Sequence, residues 1–328
     1  MKKLLKSCFV ICTLLIILFN FTGCYDAHGI EELAYAVAVG LDVTDSNELE
    51  LTLQFAKTGS SSSEESVGSS QSEGSIISSV VCSSIDSGIA LINSHISKKI
   101  NLSHCQEIIF SEKIATIGIS EYLDTFANNV EIRTDCAIVI SKANAKDYLK
   151  NVKPSLETLT ARYYESTLTT NEYTGYTANI KLAEFYSAVK DDYSEAYAIL
   201  GGINSKHYTN TAKINADYTA GENPVSDSDV IETLGIAVFS GDKLVGELTG
   251  LDSICHLIIN NDLDQCTLSV PNPFENNRYI DLLITSTKNT KCSVNIINNS
   301  PLVNINVHLI GYGSVSYTHL TLPTNREV

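Results

Sequence analysis

One cysteine stands among neighbours that define its chemistry. Phe21-Thr22-Gly23-Cys24 places two small residues before a thiol. Small residues suit the narrow cleavage site used for exported lipid-modified chains, and the thiol is the nucleophile that takes a diacylglycerol. The pattern is that of a lipobox, with Phe21 where leucine is usual. Cys24 is therefore predicted to be a lipid attachment site. No cofactor is expected beyond that covalent diacylglycerol and N-acyl lipid.

Other reactive side chains form weaker constellations. His104 and Cys105 are adjacent and offer a thiol–imidazole combination. Neighbours on a strand point to opposite faces, which favours a structural role. Asp227/Asp229 and Asp262/Asp264 have D-x-D spacing but lack the glycine and distal glutamate of a calcium loop. They read as solvated loop acids. His95 reads as the exposed flank of a helix. There is no phosphate loop, zinc helix or nucleophile elbow. No catalytic residue, metal site or cofactor pocket is predicted, and the chain is not expected to be an enzyme.

Charge and cysteine content limit the partners. The net charge is −16, and loss of residues 1–23 with Lys2, Lys3 and Lys6 takes it to −19. That excludes a phosphate-neutralising surface, so no nucleic acid partner is expected. It also leaves membrane attachment to the lipid, which contributes about 0.8 kcal/mol per buried CH₂. Of nine cysteines, Cys8 and Cys12 precede the cleavage site and Cys24 takes lipid. Cys82, Cys105, Cys136, Cys255, Cys266 and Cys292 remain, with no C-x-x-C or metal spacing. All of these but Cys255 lie in or beside apolar runs and read as small buried hydrophobes.

The elements that must position these residues follow from periodicity. Lys2, Lys3 and Lys6 before the apolar run 8–19 form a signal segment, too short for a comfortable membrane span. Residues 33–43 alternate strictly, turn at 44–47 and return over 49–55, a hairpin with one apolar and one smaller or polar face. Residues 58–79 are read as a serine-rich loop. Ile85, Ile89, Ile92 and Ile96 recur at helical spacing, with Lys98 and Lys99 in the last turn. Strands are predicted at 107–110, 135–141 and 195–200. Helices are predicted at 112–128 (broken near Gly118), 143–151, 155–166 and 178–190.

A polar connection at 201–229 is expected to link two domains, residues 24–200 and 230–314. Beyond it, Ile236 and Val238 are predicted to be buried on a strand that turns back at Gly241-Asp242 and pairs with 244–248. A helix at 251–260 precedes strands at 266–270, 279–286 and 291–297. A last strand alternates through Val303, Ile305, Val307 and Leu309. The fold class is α+β: mixed helices and mostly antiparallel sheets, with an N-terminal α/β domain and a strand-rich C-terminal domain. Residues 315–324 are encoded, for one choice of codons, by a string resembling a transposon-end adapter used in sequencing libraries. The natural sequence is expected to depart near Ser314, which truncates the second domain, and 315–328 is set aside.

Three stretches in order resemble the Ger(x)C family, the GerAC-like lipoprotein C subunits of spore nutrient-germinant receptors. The first is Gly23-Cys24-Tyr25-Asp26, then Ile30-Glu31-Glu32-Leu33-Ala34 and Val39-Gly40-Leu41-Asp42; Tyr25 stands where tryptophan is common. The second is Leu102-Ser103-His104, then Ser111-Glu112-Lys113-Ile114-Ala115 and Glu131-Ile132-Arg133. The third is Leu234-Gly235-Ile236-Ala237-Val238-Phe239 with Asp242-Lys243-Leu244-Val245-Gly246-Glu247-Leu248. The resemblance implies a non-catalytic receptor subunit, lipid-anchored at Cys24 on the outer surface of the spore inner membrane. Its implied partners are two integral-membrane subunits, A-type and B-type. The competing reading is a solute-binding lipoprotein of a transporter. That class has two lobes with parallel sheets around a cleft, which the hairpin start and strand-rich end do not suggest.

Overall fold

The structure, a computed structural model of the 328-residue chain, describes residues 1–19, 29–56, 75–154, 156–157, 159–204, 214–224, 230–273, 275, 278–286 and 289–314. The apolar run near the start lies in helix α1 (Lys2–Phe19). A single 3-10 turn at Ile30–Glu32 leads into β1 (Leu33–Val43), which reverses and pairs with β2 (Leu49–Ala56). Asn47 supplies the left-handed residue of that turn, and its amide donates to the Thr44 carbonyl (3.0 Å). There follow β3 (Ser75–Cys82), α2 (Ile85–Asn93), β4 (Lys99–Asn101), β5 (Glu107–Ser111), α3 (Glu112–Ile117) and α4 (Ser120–Asn128). Next come β6 (Ala137–Ser141), α5 (Ala145–Asn151), α6 (Thr160–Thr174), α7 (Leu182–Lys190) and β7 (Tyr197–Ile203). The chain continues as β8 (Ile231–Ser240), β9 (Lys243–Leu248), α8 (Gly250–Asn260) and β10 (Gln265–Pro271). It ends in β11 (Tyr279–Ser286), β12 (Lys291–Ile297), β13 (Ser300–Asn306) and β14 (Leu309–Ser314).

One nine-stranded sheet organises most of the molecule, in the order β3-β2-β1-β5-β6-β7-β8-β9, with β4 against the start of β1. Its centre, β1-β5-β6-β7, is parallel, and its flanks are antiparallel. Gly40 pairs with Thr52 and Leu41 with Leu51, so Gly40 and Leu51 face opposite sides. A Cβ on Gly40 would stand 2.9 Å from Leu149 and 3.1 Å from the Ala145 side chain, both on α5. Gly88 of α2 packs as closely on Leu51. Helices therefore cover both faces. The smaller face of β1 is not a solvent face: its alanines and glycine let α5 approach, and β1 is buried from Ala36 to Val43. β10, β11 and β14 form a separate antiparallel sheet, and β12 and β13 a hairpin. The α+β class, with an α/β first part and a strand-rich end, is as predicted.

Several expectations are corrected. Residues 75–79, read as loop, begin β3, because Ile76, Ile77 and the β-branched residues after them complete the open edge of β2 from Ala56↔Ser75 to Leu49↔Cys82. Helix α2 stops at Asn93, whose side-chain carbonyl accepts from the Ile100 amide (2.8 Å). Lys98 and Lys99 thus lie beyond the helix, and Lys99 opens β4. The helix expected at 155–166 lies at Thr160–Thr174, and that at 178–190 starts only at Leu182. The alternation through 303–309 divides into β13 and β14, which pair with different partners.

The described part of 201–229 is not a spacer. Residues 201–203 end β7, Ala220 is buried, and its amide donates to the Leu234 carbonyl (2.9 Å). Hairpin β8–β9 continues the first sheet rather than opening a second body. Alternate residues of β8 face different cores: Ala237 and Phe239 enter the large cluster of the main sheet, while Ile236 and Val238 face the smaller one built around α8 and β10. Phe239 is buried against Phe185, with ring centroids 5.1 Å apart, while Val238 is half-buried. Cys105, Cys136 and Cys266 are buried as expected, but Cys292 is exposed on β12 and Cys82 is half-buried.

Candidate functional site

Cys24, Asp227 and Asp229 lie outside the described residues. Among the described residues no helix is long and apolar enough to cross a membrane, and no group of three potential ligands could hold a metal ion. His95 is exposed in the turn after α2, not on the helix. His104 and Cys105 occupy a turn rather than a strand, and they diverge. The imidazole stacks on Tyr35 at 4.3 Å, whereas the Cys105 thiol is buried and donates to the Glu107 carbonyl (3.4 Å). Asp262 follows α8, and its amide donates to the Leu257 carbonyl (2.8 Å). Nearby, burial holds the His256 imidazole below its usual pKa, with Asp262 opposing.

The residues of the three sequence stretches meet at structural joints. Asp42, at the end of β1, is almost fully buried and accepts from the Ala145 (2.7 Å) and Lys146 (2.9 Å) amides. It thereby satisfies the first turn of α5, whose amides have no intrahelical partner. Burial raises its pKa, while those two amides and the nearby Ser111 hydroxyl lower it and Glu50 adds to the rise. Lys146 in turn reaches Glu50 (2.5 Å). In the second stretch the Leu102 amide donates to Glu131 (2.9 Å), tying the turn before β5 to the loop before β6. In the third, Asp242 receives the Ser120 amide on its carboxylate (3.3 Å) and the Ile119 amide on its carbonyl (3.1 Å), so hairpin β8–β9 caps α4. Gly118, at φ +134°, permits this approach: a Cβ there would lie 2.8 Å from the Asp242 carboxylate. The glycine that breaks 112–128 into two helices is thus a docking point.

Two features were not legible in the sequence. A cleft of about 300 Å³ opens at the carboxyl ends of β5 and β6, the end of a parallel sheet where ligands commonly bind. Ser111, Lys113, Thr116, Lys142 and Asn144 line it. Its cations are already engaged: Lys113 with the Thr44 carbonyl (3.0 Å), Lys142 with Glu247 (3.1 Å). No reactive set converges there. The second feature is a buried polar group under α5 and α6. Glu107 and Gln54 both flank Ala38 in register, so they share the face beneath Tyr164, whose hydroxyl donates to Gln54. Glu107 is 1% exposed and one carboxyl oxygen has no hydrogen-bond partner. Burial raises its pKa to about 8, and the neighbouring Cys136 adds to the shift.

A mixed sheet covered by helices on both faces, with these motif residues tying its elements together, is the frame in which the chain's relatives are to be read. Residues 26–201 match the family described as spore germination protein N-terminal domain, and residues 234–326 match spore germination B3/GerAC like, C-terminal. The first match alone spans more than half of the chain, which belongs to the GerAC-like spore germination proteins. The division between the two matches falls within the nine-stranded sheet. Spore germination protein KC of Bacillus subtilis (strain 168) is 22% identical over 154 residues, 46% of this chain and 38% of that protein. Spore germination protein A3 of the same organism is 43% identical over 67 residues, 18% and 17% of the two chains. The aligned stretches cover less than half the length of these curated relatives. The crystal structure of the GerBC protein aligns over 89% of this chain and 76% of its own, with a TM-score of 0.42 and 14% identity.

Proposed function

We propose that this chain is the lipid-anchored C subunit of a spore nutrient-germinant receptor, needed for receptor assembly and the response to germinants, and not itself catalytic. The observation that carries the reading is the pair of family matches, in order on one chain, beneath a lipobox cysteine. The signature residues Asp42, Glu131 and Asp242 support it, because each holds one element against another rather than presenting a reactive group. Its partners are two integral-membrane subunits, A-type and B-type, and the family points to a membrane-associated location. The proposed anchor is lipid on Cys24, on the outer surface of the spore inner membrane. A two-lobed solute-binding protein is disfavoured by one sheet that runs without interruption from β3 to β9.

The anchor is tested by Cys24→Ala. Metabolic labelling with a radioactive or clickable fatty acid should vanish, and fractionation should find the protein released from membranes. Full membrane retention of the cleaved variant would falsify the anchor.

A further inference from the structure

The turn before β5 and the loop before β6 each carry a buried cysteine, and the two meet. The Cys136 thiol donates to the Cys105 carbonyl (2.8 Å), and the Cys105 thiol donates to the Glu107 carbonyl (3.4 Å), so both sulfurs lie in the same buried joint. They are 2% and 1% exposed. The backbone fixes this proximity: the Ala137 amide donates to the Gln106 carbonyl (2.8 Å), and Glu107 pairs with Ala137 where the parallel ladder begins. Continuing that register sets Cys136 beside Gln106, one residue on from Cys105. With strands about 4.8 Å apart the two cysteines are diagonal neighbours, and a small adjustment of the 102–106 turn brings them within the roughly 4.4–6.8 Å Cα separation that a disulfide spans. The opposing edges of these two loops are otherwise held by the Leu102–Glu131 hydrogen bond.

We propose that Cys105 and Cys136 are a covalent oxidation site, forming a disulfide that staples the entry of β5 to the entry of β6. The oxidant is a disulfide, of protein or small-molecule kind. One thiolate attacks a sulfur of the oxidant and expels one thiol. The second cysteine then attacks the mixed disulfide and expels the other. Two S–H bonds are lost, one S–S bond forms, and the oxidant disulfide is reduced to two thiols, which take up both protons. The folded chain protects the pair, since the neighbouring Cys136 thiol and burial hold Cys105 well above the usual thiol pKa. Reaction therefore requires opening of the 102–106 turn, or it occurs while the chain folds. This site does not depend on the receptor reading or on the lipid anchor.

The test uses the full purified chain, unfolded and refolded in oxidised and reduced glutathione, then denatured and alkylated. Peptide mapping by mass spectrometry should find Cys105 joined to Cys136, with exposed Cys255 and Cys292 alkylated. Reductant should lower the melting midpoint of the oxidised chain by several degrees. Cys136→Ser, treated alike, should show no such response. Recovery of Cys105 and Cys136 as separate alkylated thiols, or joined only to other cysteines, overturns the proposal. So does a midpoint that drops equally in wild type and Cys136→Ser.

Discussion

At the residue scale, the informative side chains are polar groups placed where water cannot reach. Asp42 satisfies two amides of α5 from the end of β1. A charged acceptor in such a pair contributes about 1.5–3 kcal/mol per hydrogen bond. Asp42→Ala should therefore cost about 2–4 kcal/mol in denaturant unfolding, and Asp42→Asn less, because its carbonyl oxygen still accepts. Equal losses for both would show that charge, not acceptance, matters there. Glu107 makes an opposite kind of statement. Its folded pKa of about 8 lies above the ordinary 4.5. Between those values the folded chain keeps a proton that the unfolded chain has released. Its contribution is therefore full below the unfolded pKa and lost as pH rises through the folded one, by up to ~1.4 kcal/mol per pH unit. The stability of Glu107→Gln relative to wild type should rise steadily from pH 5 to 8. Parallel pH profiles for the two chains would rule out a buried, protonated Glu107.

At the element scale, the hairpin β8–β9 decides how the two halves of the chain join. Its Asp242 receives the amides at the start of α4, a cap contributed from a distant segment. Asp242→Ala should destabilise by about 1 kcal/mol, the usual worth of a lost helix cap, and hydrogen exchange should quicken first in α4. Exchange faster in β9 alone would mean that the cap is not used. Gly40→Val should cost more, about 1–3 kcal/mol on the overpacking scale, because its side chain would enter the space of Leu149 and Ala145. Most long elements were legible: the alternation of 33–43 and 49–55, the break at Gly118 and the turn at Gly241-Asp242 all mark real boundaries. What was not legible depends on partners distant in sequence. Lys99–Asn101 is too short to carry a period, and only pairing with Leu33–Tyr35 makes it a strand. Which face of β8 lies over the deeper core leaves no local trace, since Val238 and Phe239 are equally apolar: Phe239 enters the large cluster and Val238 packs at the edge of the smaller one. The buried cluster around Glu107 arises only when Gln54 and Glu107 are brought to either side of Ala38.

At the scale of the whole molecule, one sheet carries residues from both family-matched halves, so damage to its seam should be felt by the entire chain. Phe239 is the place to test this. It is 1% exposed and packed edge-on against Phe185 of α7. Phe239→Asp removes a large ring from the core and leaves a buried carboxylate without a partner, a loss of about 3–5 kcal/mol from the ring alone with the desolvation of the charge added. Against a typical total stability of about 5–15 kcal/mol, the chain should fail to fold. Val238→Asp, half-buried against the smaller cluster around α8, should be milder. If the chain is a scaffold within a receptor, Phe239→Asp should deplete the two membrane subunits from spore membranes along with itself. Nutrient germination should then fail while nutrient-independent triggers still act. Glu107→Gln, which preserves the size and shape of the side chain, should leave partner levels unchanged in the same assay. Spores that hold normal amounts of both partners and respond normally to nutrients with Phe239→Asp would refute the scaffold role, because a receptor indifferent to the loss of this sheet does not depend on it.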